Sequence, residues 1–312
     1  EIIFHSSAMQ KILRELTILA QGMGHPVLLL GETGTGKTTL ARQFQEMSGK
    51  PENSFQHVVC GEFRGADLNL VKSQLFGHVK GAFTGAETQK SGMLEEADGG
   101  TLFLDEIDSL PLEIQTKLLV FLDNQIITPV GSTSSISLNV RLIFASGRKL
   151  IDVVKNKEMR QDFFYRLNAG ASFQIKSLRD DTERIESFCE EYALEKHIKI
   201  SQRLIDFYKT LPWPGNYRQL QGHLETKRVM SKRGFLDFDE MDEVLIEQSS
   251  ELESFENTEV KPTLHQVKIA YMKKIYFEMD KNISRSAAVL GISSRSLRNS
   301  IKSFDSFYEP IT

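Results

Sequence analysis

Gly31-Glu32-Thr33-Gly34-Thr35-Gly36-Lys37-Thr38 reads G-x4-G-K-S/T in full, and no other stretch of the chain narrows its possible folds so far. The apolar run Pro26–Leu30 precedes it and a helical stretch follows from Lys37, the strand, loop and helix setting that the pattern needs. The glycines let the backbone curl until successive N–H groups face phosphate oxygens, and the helix N-terminus adds a favourable dipole. Gly31 to Thr38, with the next residue Thr39, are therefore the candidate ATP-binding residues. Lys37 is placed to reach the β- and γ-phosphates, and the Thr38 hydroxyl to ligate Mg²⁺. The alternative is a glycine-rich turn with a surface lysine, but a full chance match in a chain this long has odds on the order of one per cent.

Leu102-Phe103-Leu104-Asp105-Glu106 is the natural counterpart. An apolar strand ending in two carboxylates places them at the C-terminal edge of a sheet, beside the phosphate loop. Asp105 is the candidate Mg²⁺ residue, and Glu106 the group that orients or activates the attacking water. Such strand ends are common by themselves. Downstream of a full phosphate loop, the catalytic reading is the stronger one.

Apolar runs at Val27–Leu30, Phe55–Cys60, Thr101–Leu104, Val140–Ala145 and Ser172–Ile175 read as strands buried on both faces. They predict an α/β core with a parallel sheet over 1–176. From Arg179 the pattern turns helical without strands, with Leu204, Phe207, Tyr208 and Leu211 at helical spacing before Pro212-Trp213-Pro214-Gly215. A helical lid over 177–234 is expected. Phe235–Val260 holds ten acidic residues and no Lys or Arg, which predicts a solvated acidic linker over 235–262. Thr263–Thr312 reverses sign, with eight Lys/Arg against four Asp/Glu, and predicts a small all-α domain.

The signature of a family lies between these elements. Gly81-Ala82-Phe83-Thr84-Gly85-Ala86, within LFGHVKGAFTGA (Leu75–Ala86), resembles the signature loop of the sigma-54-dependent transcription activators, a branch of the AAA+ ATPases. ADGGTLFLDEI (Ala97–Ile107), MRQDFFYRL (Met159–Leu167) and WPGN-x-R (Trp213–Arg218) agree with that family in order and spacing. The resemblance implies an AAA+ core with a lid, ATP with Mg²⁺, and the Gly81–Ala86 loop as the sigma-54 contact. Two glycines flanking Phe83 and Thr84 suit a mobile tip carrying an aromatic outward. Arg160 and Arg166 resemble the arginine pair that the family supplies to a neighbouring subunit's ATP, and Arg218 the lid arginine that senses the γ-phosphate. A six-residue offset turns about 240° on a helix, so either the helix ends between Arg160 and Arg166 or only one acts in trans. Trans action implies a homo-oligomer, and the family a hexamer.

Some positions depart from the family pattern. Val59 stands where an Asn is usual, and valine offers no hydrogen bond to hold Glu106. Ser146-Gly147 replace Thr-Asn, Lys176-Ser177 replace two prolines, and Gln219 and Gly222 replace Glu and Asn. ATP binding with slowed or differently controlled hydrolysis is the expectation.

At the C-terminal end, Leu264–Met279 reads as a helix with a broad apolar face of Leu264, Val267, Tyr271, Met272, Ile275 and Tyr276, wide enough to pack against a second copy. Ser284–Ser293 carries the helix, glycine turn and capping serine of a helix-turn-helix. In the next helix Leu297, Ile301 and Phe304 form one stripe, opposite Ser294, Arg295, Arg298, Asn299 and Lys302. That division suits a recognition helix in a major groove. The segment resembles the Fis-type reader attached to the family, which implies dimers on palindromic double-stranded DNA.

Net charge is −4, so DNA binding is expected to be local. Residue 1 is Glu and no leader follows, which reads as an excised fragment. Absence of an apolar run near 18 residues, together with two cysteines lacking ligand spacing, points away from membranes and toward a reducing cytoplasm. The expected function is ATP-dependent remodelling of sigma-54 RNA polymerase. The alternatives are a non-hydrolysing DNA-binding regulator working with another sigma factor, and a protein-remodelling AAA+ chaperone.

Overall fold

The computed structural model describes residues 6–22, 26–51, 54–231, 234–245, 271–272, 275–276, 279 and 281–301. The chain divides into two compact units, Glu1–Glu243 and Val244–Thr312.

The first unit is built on a five-stranded sheet of β1 (Val27–Leu30), β2 (Phe55–Val59), β3 (Thr101–Asp105), β4 (Arg141–Ser146) and β5 (Ala171–Gln174), in the order β2-β3-β4-β1-β5. Every pairing is parallel. The chain is therefore of the α/β class. Parallel strands need crossovers, so both faces are covered, and β4 is buried along its whole length. One face packs Leu102, Leu104 and Phe144 against Ile114, Leu118 and Phe163; the other packs Val27, Leu29 and Phe103 against Met9, Leu40 and Phe44. Each strand expected from the sequence forms, with ends shifted by one residue except in β1. Cys60 leaves β2 to open the short 3-10 turn Cys60–Phe63. Cys60 and Cys189 are free and buried, and burial pushes both thiols up, Cys189 to about 12.

Helices Glu183–Glu195, Gln202–Tyr208 and Asn216–Met230 follow the sheet. Two expectations need correction here. The helical stretch is not free of strands, because Lys199–Ile200 pairs in parallel with Phe235–Leu236. The acidic segment also does not begin as a solvated linker. Leu236 is buried, and Asp242 is fully buried, accepting from Lys227 Nζ (2.7 Å) and Tyr208 Oη (3.1 Å), with His223 Nε2 at 2.8 Å. A high acidic count does not reveal that one of those carboxylates is matched to a buried lysine.

In the second unit, helices Ile283–Val289 and Ser294–Ile301 are joined through Gly291, whose φ of 63° lies in the left-handed region glycine enters freely. Asn282 caps the first helix through Arg285 N (3.1 Å), and Ser293 Oγ accepts from Ser296 N (3.1 Å) at the start of the second. Ala287, Leu297 and Met272 pack together beneath them. Of the face expected at Leu264–Met279, Met272 and Ile275 are buried and Tyr271 is exposed; Leu264 and Val267 lie outside the described residues.

Candidate functional site

Where β1, β3 and β4 end, the loops leave a cleft of about 920 Å³ closed on one side by helix Asn216–Met230. Thr33, Gly34, Gly36, Lys37, Thr38, Thr39, Asp105, Glu106 and Arg218 all line it. Gly36, at φ 98°, is the N-cap of helix Lys37–Met47, so the loop enters the helix through a conformation open to glycine. Lys37 Nζ donates to the carbonyls of Gly31 (2.7 Å) and Glu32 (2.9 Å). Burial pushes its pKa below the usual lysine range, against the opposing pull of Asp105 and Asp108. Thr38 Oγ1 and Asp105 Oδ2 stand 3.4 Å apart. One hydroxyl and one carboxylate are hard oxygen donors, a set that fits Mg²⁺ retaining waters and completed by phosphate oxygens.

Gly31, Glu32 and Thr35, also expected to cradle ATP, do not line the cleft. Thr35 is buried and donates its hydroxyl to Glu32 O (2.8 Å). The Glu32 carboxylate is engaged elsewhere, paired with Arg179 and accepting from Asn216 Nδ2 (3.2 Å). The Arg179 hydrogen bond is the main cause of its lowered pKa. Glu32 is thus a strut to the lid.

Two further groups bind lid to loop, and neither was picked out by sequence reading. Arg184, 1% exposed, donates to Thr35 O (2.8 Å), Lys176 O (2.9 Å) and Tyr217 Oη (2.9 Å). Asn216, in the left-handed region at φ 49°, donates to Thr33 O (3.0 Å) and accepts from Leu178 N (2.8 Å). The Trp213–Arg218 motif thereby clamps the lid to the phosphate loop. A side chain at Gly34 would strike Gly215 O at 2.2 Å. The only available signal was the motif's left-handed Asn, whose short amide tolerates that backbone.

On the side of the paired carboxylates, Val59 pairs with Asp105 across β2 and β3. His57, also unremarked in the sequence, stacks on Phe103 with Nε2 3.9 Å from Asp105 Oδ2, and burial lowers its pKa. Ser146 Oγ donates to buried Asp108 (2.6 Å), and Gly147 lines the cleft without a side chain. Arg148, again unread, also lines it, forked onto Glu158 at 2.7 and 3.2 Å.

The Gly81–Ala86 loop is closed by Gly81 N to Ala86 O (2.8 Å), with φ of 80° at Gly81 and 99° at Gly85. The expectation of an outward aromatic is not met. The Phe83 ring is half-buried and edge-on to His78, centroids 5.1 Å apart, and Ala86 is buried. A half-buried ring avoids the hydration cost of a bare tip. Thr84 is the exposed side chain of the turn. Ala82 packs so closely on Gly131 that a Cβ there would lie 2.7 Å from its own.

Arg160 is the N-cap of helix Gln161–Asn168, so the helix begins between the two arginines and the facing problem does not arise. Arg160 pairs with Asp162 (2.7 Å) and Arg166 with Asp123 (3.0 Å). Neither lines the cleft of its own chain. In the second unit Arg295 and Arg298 are exposed and Ser294 is partly buried. The side chain of Asn299 and all of Lys302 and Phe304 lie outside the described residues. Among the described residues no helix is long and apolar enough to cross a membrane.

A family model described as "Sigma-54 interaction domain" matches residues 2–172, and one described as "AAA+ ATPase lid domain" matches residues 179–258. The chain is 39% identical over 242 residues to the DNA-binding transcriptional activator HyfR of Escherichia coli, covering 75% of this chain and 35% of that protein. It is 39% identical over 230 residues to the sigma54-dependent transcriptional activator SfnR of Pseudomonas putida, covering 70% and 60%. The match thus spans between 35% and 60% of these relatives' own length. Among solved structures, NtrX from Brucella abortus in complex with ADP superposes with a TM-score of 0.64 at 25% identity, covering 98% of this chain and 69% of that one. The Hsp104–ADP complex of Saccharomyces cerevisiae, at 18% identity and TM-score 0.55, shares the fold, over 74% of this chain and 45% of its own.

Proposed function

The chain belongs to the sigma-54 interaction domain family, and from that premise we propose that it binds and hydrolyses Mg·ATP in the cleft to drive sigma-54 RNA polymerase at promoters. The observation that carries this is the gathering of Lys37, Thr38, Asp105, Glu106 and Arg218 in one cleft, in a chain that also bears the Gly81–Ala86 loop. The NtrX structures with ADP and with ATP support the nucleotide part.

In this reading backbone N–H groups at Gly34 and Gly36 and the Lys37 ammonium hold the phosphates. The ammonium exchanges the Gly31 and Glu32 carbonyls for phosphate oxygens. Thr38 and Asp105 hold Mg²⁺, which neutralises charge on the β- and γ-oxygens. Glu106 takes the proton of the attacking water. Arg218 reports the γ-phosphate to the lid. Arg160 and Arg166, which cannot serve their own cleft, reach a neighbour's, so the active form is a ring and the family pattern makes it a hexamer. The clamp of Arg184 and Asn216 on the phosphate loop gives the lid a mechanical hold on it. Nucleotide state then moves Phe83 and Thr84 against sigma-54, with Phe83 leaving His78 as the second loop state.

A purified preparation is expected to hydrolyse ATP above a Glu106→Gln control, with turnover per chain rising as chain concentration is raised. With sigma-54 holoenzyme and promoter DNA it should form open complexes only with hydrolysable ATP. Gly147, which presents no side-chain amide to a phosphate, favours the competing regulator that binds nucleotide without hydrolysis and acts with another sigma factor. DNA binding without turnover or sigma-54 open complexes would select that reading.

Ile283–Ile301, with its glycine turn and serine cap, supports a helix-turn-helix that reads palindromic DNA as a dimer through Ser294, Arg295, Arg298, Asn299 and Lys302. Arg295→Ala and Arg298→Ala should each cost about 1–3 kcal/mol at cognate sites in titrations, while ATP binding stays unchanged. Undiminished discrimination between cognate and random DNA in both variants would exclude this helix as the reader.

A further inference from the structure

Gly61 opens no motif and carries no chemistry, yet it lies in the 3-10 turn directly after β2 and lines the cleft. A Cβ placed on it would stand 2.0 Å from Glu106 Oε2 and 3.2 Å from Glu106 Cδ. The next nearest atom, Val59 Cγ1, is 3.9 Å away. The Glu106 carboxylate therefore occupies a niche that only glycine leaves open. Among the described residues no group is recorded donating a hydrogen bond to that carboxylate. Shape holds it there.

We propose that Gly61 is a positioning residue for hydrolysis, and that its niche, in the wall of the cleft, stores Glu106 in a resting pose from which the carboxylate must swing out of the niche to act. This rests on reading Glu106 as the group that activates water. The Glu106 backbone is fixed, with φ 53° and ψ 45° and its N–H donating to Asp105 Oδ1 at 2.9 Å, so the swing is confined to side-chain rotation. Val59, at the end of β2, has no hydrogen-bonding group with which to hold either pose. The niche at residue 61 thus supplies by exclusion of a methyl group a restraint that Val59 cannot supply by bonding.

The arrangement permits a selective test. Gly61 is not among the residues with left-handed φ, so alanine meets no backbone strain. What its methyl group would strike is the tip of a flexible, exposed side chain. The fold stays and the carboxylate moves. With the resting pose holding all but about a tenth of the population, Gly61→Ala raises ATP turnover up to about tenfold. Affinity for a fluorescent ATP analogue stays at the wild-type value, and thermal unfolding is unchanged. The double variant Gly61→Ala/Glu106→Gln turns over no faster than Glu106→Gln alone, because the effect runs through Glu106. Turnover of Gly61→Ala equal to or below wild type, or a double variant faster than Glu106→Gln, overturns the proposal. Identical turnover in wild type, Gly61→Ala and Glu106→Gln with ATP still bound would overturn the hydrolysis reading itself, and this proposal with it.

Discussion

Glu106→Gln is expected to lower ATP turnover by about 10²- to 10⁴-fold while leaving nucleotide affinity within experimental error of wild type. Glutamine keeps the size and reach of glutamate but its amide cannot take a proton from water. The groups assigned to holding the nucleotide are separate side chains: Lys37 at the loop carbonyls, Thr38 3.4 Å from Asp105, and Arg218 across the cleft. Loss of the base therefore separates binding from chemistry. Phosphate release at saturating ATP and titration with a fluorescent analogue measure the two sides independently. A variant that still turns over at the wild-type rate would remove Glu106 from the chemistry; one that no longer binds would make it part of the cradle.

The second large effect is structural. Asp242→Ala should destabilise the first unit by about 3–5 kcal/mol, because it strands a buried cation. Lys227 is 2% exposed and Asp242 fully buried, 2.7 Å apart, and Asp242 also serves Tyr208 and His223. Lys227 keeps Asp239 at 2.8 Å, which places the cost toward the lower end of the range. Burial would raise the Asp242 pKa, but hydrogen bonds from His223 and Lys227 outweigh it and hold the carboxyl at about 2, below the ordinary 3.8. A depressed folded-state pKa gives stability that is complete above the ordinary value and lost as pH falls through the folded one. Wild type should therefore lose this contribution between pH 3.8 and about 2, and the alanine variant should lack that acid-limb slope. Urea unfolding followed by the fluorescence of Trp213, the single tryptophan, reads the change, since its ring lies 5.4 Å from Tyr208 in the same core. A shift below about 1 kcal/mol, the range of an exposed pair, would show the pair to be solvated.

The site was most legible where its chemistry is contiguous. Gly31–Thr38 and Leu102–Glu106 each carry apolar strand, turn and reactive group within a few residues, so strand, loop and side-chain direction follow from local rules. For the same reason the strands of the sheet were located nearly to the residue. Glu32 shows the limit of that argument. It sits inside the phosphate motif, and its role depends on Arg179, which the chain places far away in sequence. Phe83 was misjudged for a similar reason: two flanking glycines permit an exposed ring, but the edge-on contact with His78 decides where the ring rests.

Local sequence thus sufficed for the class of fold, the phosphate loop, the paired carboxylates and the family, because backbone geometry and hydrophobic periodicity act over one element at a time. Contacts between elements were settled only by folding. The lid clamp of Arg184 and Asn216, the buried Lys227–Asp242 pair beneath an acidic run, and the niche at Gly61 each join residues that no spacing rule connects. Their energies come from desolvation and close packing, which depend on what surrounds a group once the chain has closed over it.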